Sequence, residues 1–160
     1  MMGNYHLRKK EKEITIKEEI DAILKKGKYT TIGFVGDEYP YVVTLSYGYD
    51  QANARIYFHC ALKGQKIDYL TKNPNVCATV IEDKGYVKDF CEHKYSSLII
   101  RGSIRVVDEL NEKKHGLDIL LNHLEENPDP IKARNIKDDK SYNSVCILCL
   151  DIHDITGKQN

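Results

Sequence analysis

A strict two-residue alternation runs through YPYVVTLSYGY, residues 39–49. Tyr39, Tyr41, Val43, Leu45, Tyr47 and Tyr49 fall on one side of it, and Val42, Thr44, Ser46 and Gly48 on the other. Period two puts the tyrosines, Val43 and Leu45 on one face of an extended chain, so the segment reads as a β-strand. Pro40 lacks an amide hydrogen and belongs at the strand's entry. Similar short runs at 30–34, 55–61, 76–81, 95–107 and 145–155 make further strands. Most are separated by turn residues such as Gly36-Asp37-Glu38 and Asp50–Asn53 rather than by helical crossovers. Gly102, inside the 95–107 run, predicts a bulge or a close backbone approach.

Helical spacing occurs in three places. Thr15 and Glu18 form a T-x-x-E box ahead of Ile16, Ile20, Ile23 and Leu24, with Gly27 as the stop signal. Residues 64–73 make a short helix with Ile67 and Leu70 inward, ended by Asn73-Pro74. Asp108 precedes a helix lined by Leu117, Leu120, Leu121 and Leu124. By composition, residues 82–94 are a charged loop, 127–140 a long loop or lid, and the tail from Thr156 a polar end. The order of elements suits a small antiparallel barrel with helices outside it, not a doubly wound sheet. The expected division is a flexible segment over 1–13 and a single domain over 14–158.

With 160 residues the chain can bury its own core, and its 24 basic and 24 acidic residues cancel, which speaks against a global nucleic-acid surface. No apolar run approaches the roughly 20 residues of a membrane helix. The basic N-terminus lacks the apolar stretch of a signal peptide, and a second Met before Gly3 breaks the myristoylation pattern. Five cysteines, an odd number, predict reduced thiols in the cytoplasm. Cys146 and Cys149 sit three apart on a strand and point to opposite faces, and Cys91-x-His93 has no matching further ligands, so no metal site is expected.

The chemistry concentrates in IYFHCALKGQK, residues 56–66. A strand passes through Gly64 into a helix start flanked by Lys63 and Lys66, and free helix amides with two cations suit an anion. Lysines at a helix start are also commonly just solvated, so the spacing leaves both readings open. His59 shares a strand face with Tyr57 and Ala61; it is either a satisfied core or interface histidine or a group facing a ligand.

The segment IYFHCALKGQKIDYLTKNPNVCATV, with YPYVVTLSYGYD before it and SSLIIRGSIRVVDE and DIHDITGK after it, resembles the pyridoxamine 5'-phosphate oxidase-like superfamily, nearest in pattern to its nitroimidazole-resistance type. The resemblance covers residues 30–158. It implies a mainly β (α+β) fold, a six-stranded antiparallel split β-barrel with flanking helices, binding FMN at the interface of a homodimer. It places Lys66 on the FMN phosphate, with Lys63, Gly64 and Gln65 at the same corner; Gln65 replaces the arginine of pyridoxamine phosphate oxidase proper. Val43, Thr44, Leu45 and Ser46 then run along the isoalloxazine, with His59 and Ala61 beside it and His59 the candidate catalytic group. Ser96, Ser97 and Arg101 reach the site from the same or the other protomer. The implied activity is reduction of a small molecule, a nitroaromatic among the candidates, with electrons from NAD(P)H. A flavin carrier without turnover and a haem-binding barrel are the alternatives.

Overall fold

In the computed structural model, which describes residues 7–160, the alternating segments close on each other. Strands β2 (Tyr29–Phe34), β3 (Tyr41–Asp50), β4 (Arg55–Cys60), β5 (Asn75–Val87), β6 (Glu92–Val106) and β7 (Cys146–Gln159) pair in the order β7-β4-β3-β2-β5-β6, and β6 pairs back with β7. All these pairings are antiparallel, so the expected six-stranded barrel is present. A further strand, β1 (Glu13–Ile14), adds to β7 with Ile14 opposite Gly157. Residues 1–6 of the segment expected to be flexible lie outside the described residues; Lys10–Lys12 form a 3-10 turn.

The faces follow the alternation. Tyr41, Val43, Leu45 and Tyr47 of β3 pack inward against Ile32, Phe34, Phe58, Val80, Leu98 and Ile100, while Val42, Thr44 and Ser46 point out. Helices α1 (Lys17–Lys26) and α2 (Gln65–Lys72) add Leu24 and Leu70 to the same core. Tyr47 is fully buried, its hydroxyl donates to the Leu24 carbonyl at 2.6 Å, and burial pushes the phenol well above its usual range. The bulge at Gly102 is present: the β6–β7 register shifts between Arg101 and Gly102, and a β-carbon on Gly102 would stand 2.1 Å from the Asp151 carbonyl oxygen.

Several boundaries differ from the sequence reading. The N-cap of α1 is Ile16, with no side-chain cap bond, so the Thr15/Glu18 box does not form. Gly27 ends α1 in an extended conformation; what demands glycine there is the Tyr47 hydroxyl, 2.5 Å from the β-carbon position. Helix α3 (Leu110–Leu124) is capped by Glu109, not Asp108: its carboxylate accepts from the Asn111 and Glu112 amides at 2.9 and 2.7 Å. The charged stretch 82–94 is not a loop but the outer half of the β5–β6 hairpin, with Tyr86 opposite His93. Residues 127–140 hold helix α4 (Asp129–Asn135) and the start of a 3-10 turn, Asp139–Ser144. The polar tail from Thr156 is ladder, paired with β6 and β1.

Helix α3 lies against the outside of β3 and β4, where Leu117 and Leu120 join Tyr57, Ile147 and Cys149 in a second core. A charged quartet fastens its first turn. Arg105 grips Glu112 with two bonds of 2.6 and 3.0 Å, and Arg55 donates to Asp151 at 2.7 Å. The Arg105 guanidinium holds the Glu112 carboxyl below its ordinary 4.5. A carboxyl depressed in the folded state stabilises above its unfolded value and loses that contribution as pH falls through the folded one. Glu112→Gln is therefore expected to lower the urea midpoint at about pH 7 and to leave it closer to wild type at about pH 3. Parallel midpoints at both pH values would remove Glu112 from the acid response.

Candidate functional site

Strand β4 sends Ile56 and Phe58 into the barrel and Tyr57 and His59 out of it. Tyr57 is covered by α3. His59, two residues on, is exposed in a groove that α3 does not fill. The floor of the groove is Thr44, Leu45 and Ser46 of β3 with His59. One wall is the leucine row of α3, Leu117 to Leu124; the other is Ile131, Asn135 and Ile136 at α4 and Tyr142 to Val145 ahead of β7. The cavity measures about 720 Å³ and carries no charged side chain in its lining, within the size range of small-molecule pockets. Lys132 ties α4 to α3 through Asp118 at 2.7 Å, which fixes the outer wall.

Just past β4 comes the lysine corner. Gly64 has φ +133, a conformation that favours glycine, and nothing lies within 4 Å of its β-carbon position. Its carbonyl takes the Ile67 and Asp68 amides at 2.9 and 3.2 Å. The amides of Gln65 and Lys66 precede the first intrahelical bond and face outward from the helix start. Lys63 and Gln65 are exposed and Lys66 is half-buried, so no side chain plugs the corner.

The sequence-predicted residues divide into two groups. Thr44, Ser46 and His59 present side chains to the groove, Val43 and Leu45 turn theirs to the core and leave backbone, and Ala61, Lys63, Gly64, Gln65 and Lys66 continue from the end of β4. Ser96, Ser97 and Arg101 are elsewhere: β6 is three strands from β3 through β2 and β5. Ser96 is buried and accepts from Lys84 at 2.7 Å, while Arg101 pairs with Asp154 at 3.2 Å. The sequence reading missed the groove walls. Leu121 and Leu124 stood in the helical stripe, but a stripe does not distinguish a core contact from a cavity lining.

Among the described residues no group of three or more His, Cys, Asp or Glu could hold a metal, and no helix is long and apolar enough to cross a membrane. Cys146 lies in the barrel core and Cys149 in the α3 cluster, on opposite faces as their spacing requires. Burial pushes the Cys149 thiol up to about 11.

The sequence profile of the pyridoxamine 5'-phosphate oxidase family matches residues 17–159. The chain belongs to this family. No curated protein matches it. Among solved structures, a putative 5-nitroimidazole antibiotic resistance protein from Bacteroides thetaiotaomicron is 27% identical, with 92% of this chain and 86% of that one covered and a TM-score of 0.78. The flavocytochrome Anf3 of Azotobacter vinelandii (16% identity, 98% and 72% covered, TM-score 0.79) shares the fold. So does an FAD and heme binding protein of Mycobacterium smegmatis (17%, 93% and 73%, TM-score 0.74). In this pyridoxamine 5'-phosphate oxidase family member the strand-to-helix corner is open, and His59 of the same strand lines an uncharged groove.

Proposed function

We propose that this chain binds FMN in the groove and serves as an oxidoreductase for a small molecule, taking electrons from NADH or NADPH. The observation that carries the reading is an uncharged cavity of about 720 Å³ floored by His59 of β4, the strand whose chain runs directly on into a corner with two lysines and free helix amides. FMN has those two halves, a flat ring of low polarity and a phosphate dianion. The donor set fits: Lys66, Lys63 and the Gln65 and Lys66 amides suit the phosphate, and the β3 backbone with the Thr44 and Ser46 hydroxyls suits the ring edge. Bound there, flavin supplies the electron transfer. The protein's part is to bind and orient it, to exclude water with the α3 leucines, and to hold a proton at the His59 imidazole beside the substrate.

Gln65, in place of an arginine, leaves the corner one cation poorer and weighs against pyridoxamine phosphate as substrate; a nitroaromatic or another small electron acceptor fits the uncharged groove better. Names of structural relatives that mention FAD, flavocytochrome and nitroimidazole resistance support the flavin reading. Because Ser97 and Arg101 point outward on the far side of the barrel, we place them in the groove of a second copy, in a cytoplasmic homodimer with two shared sites.

An absorbance spectrum of the purified protein, with mass spectrometry of the released cofactor, tests this directly. The expected result is flavin absorbance, FMN by mass, and bleaching by NADH or NADPH that a nitroaromatic reverses. A yellow protein that neither nucleotide reduces would make it a carrier. A Soret band instead of flavin absorbance would overturn the reading and turn His59 toward iron.

A further inference from the structure

Along the inward face of β4 and β7 the register sets bulky residues opposite each other, Ile56 with Leu150 and Phe58 with Leu148. The row ends differently. Cys60, the last residue of β4, stands opposite Cys146, the first of β7, and both side chains turn into the barrel core. All five cysteines are free, and among the described residues no other two face each other across a ladder. Directly opposite residues of antiparallel strands have Cα atoms about 4.5–5.5 Å apart. That lies inside the span of about 4.4–6.8 Å that a disulfide bridges.

The pair sits where the two halves of the candidate site meet along the chain. Cys60 is preceded by His59 of the groove floor and followed by Ala61 and the Lys63–Lys66 corner; Cys146 comes directly after Val145 of the groove wall. The Cys60 thiol donates to the Ala61 carbonyl at 3.3 Å. Burial raises its pKa, contact with the Cys146 thiol raises it further, and the Lys66 ammonium pulls it down. A second sulfur therefore touches the first, and a cation lies within electrostatic reach of it. Cys60 is 9% exposed and Cys146 3%, so a reagent meets Cys60 first.

We infer that Cys60 and Cys146 are a redox pair that hydrogen peroxide, a small neutral oxidant, closes to a reversible disulfide tying the end of β4 to the start of β7. The Cys60 thiolate attacks one peroxide oxygen and the O–O bond breaks. The hydroxide that leaves takes up the Cys60 proton as water, and a sulfenic acid remains. The Cys146 sulfur then attacks the Cys60 sulfur, the S–O bond breaks, and the departing hydroxide takes the Cys146 proton as a second water. The thiols lose two electrons and the peroxide gains them. A dithiol restores both thiols by exchange, so in a reducing compartment the bond is transient. Its consequence for the site rests on the flavin reading above. With the corner and the groove wall held together, local opening of the two strand ends is suppressed, and FMN leaves the oxidised protein roughly threefold more slowly or less.

Native full-length protein is treated with hydrogen peroxide, its remaining thiols are alkylated, and tryptic peptides are assigned by mass spectrometry. The expected product joins peptide 56–63, which holds Cys60, to peptide 141–158, with fragmentation placing the bond on Cys146 and not on Cys149. The link persists in Cys149→Ala, is absent from Cys146→Ala and opens with dithiothreitol, and it lies within one chain by denatured mass. Cys60 found only as sulfinic or sulfonic acid, linked to any other cysteine, or untouched while the exposed Cys77 and Cys91 oxidise would each overturn the inference. FMN release, followed by fluorescence before and after oxidation, reads the consequence, and an unchanged rate would overturn the hold on the site. Flavin content keeps the two readings apart. A flavin-free protein that forms the link removes the cofactor and leaves the thiol pair standing, while a flavin-loaded protein that never forms it does the reverse.

Discussion

Replacing Gly48 by valine is expected to cost about 3 kcal/mol of stability and to strip the groove of its ligand. Gly48 lies on the outward side of β3, two residues beyond Ser46, where α3 crosses the sheet. A β-carbon there would stand 2.5 Å from Leu120 Cα and 2.6 Å from its amide nitrogen. Those are backbone atoms, so no rotamer change relieves the clash, and the helix must lift. From the helix side, a β-carbon on Gly116 would stand 2.6 Å from the Tyr57 ring, so the two surfaces meet with a glycine on each. Lifting α3 moves the leucine wall away from Thr44 and Ser46 while the barrel core beneath remains intact. The expected signature is a lower denaturation midpoint together with flavin lost on gel filtration. Against a total stability of about 5–15 kcal/mol, such a loss leaves the protein folded at room temperature, so both quantities can be measured. A variant with the wild-type midpoint and full flavin would show that α3 is not seated through Gly48.

What the sequence disclosed and what it concealed follow from where each pattern arises. Tyr41 to Tyr49 alternate because one face meets a core and the other does not, so that strand was legible down to the direction of each side chain. The arm from Glu82 to Lys94 meets solvent on both faces. Nothing there selects apolar residues at every second position, and a hairpin therefore reads as a loop: Tyr86 and Phe90 are 57% and 76% exposed, and Asp83 pairs with His93 in the open at 2.8 Å. The tail from Thr156 is concealed for a related reason, since its ladder partners in β6 and β1 are remote in sequence. Caps fail at the level of single residues. Thr15 and Asp108 have the right chemistry one position too early, and the fold decides which residue takes the non-helical turn. The corner at Lys63–Lys66 was legible because its features are local: a glycine, two lysines and a helix start. The groove was not, because its floor and two walls come from four separate stretches of chain, brought together only when α3 and α4 fold back over β3 and β4.

Within that corner, Lys66→Ala is expected to weaken FMN binding tenfold or more. A charge-assisted bond to a phosphate oxygen contributes about 1.5–3 kcal/mol, and each 1.4 kcal/mol is a factor of about ten. Lys66 is half-buried in the first turn of α2, whereas Lys63 is exposed. An exposed cation contributes about 0–1 kcal/mol and is screened by salt. Lys63→Ala should therefore have a small effect that fades as ionic strength rises, while the effect of Lys66→Ala persists. Riboflavin separates phosphate recognition from damage to the fold. It carries the same ring without the phosphate, so its affinity should be the same for wild type and Lys66→Ala. Fluorescence titration of apoprotein with both flavins gives the comparison. If riboflavin binding falls as far as FMN binding, Lys66 acts through the shape of the corner; if FMN binding does not fall, the phosphate lies elsewhere.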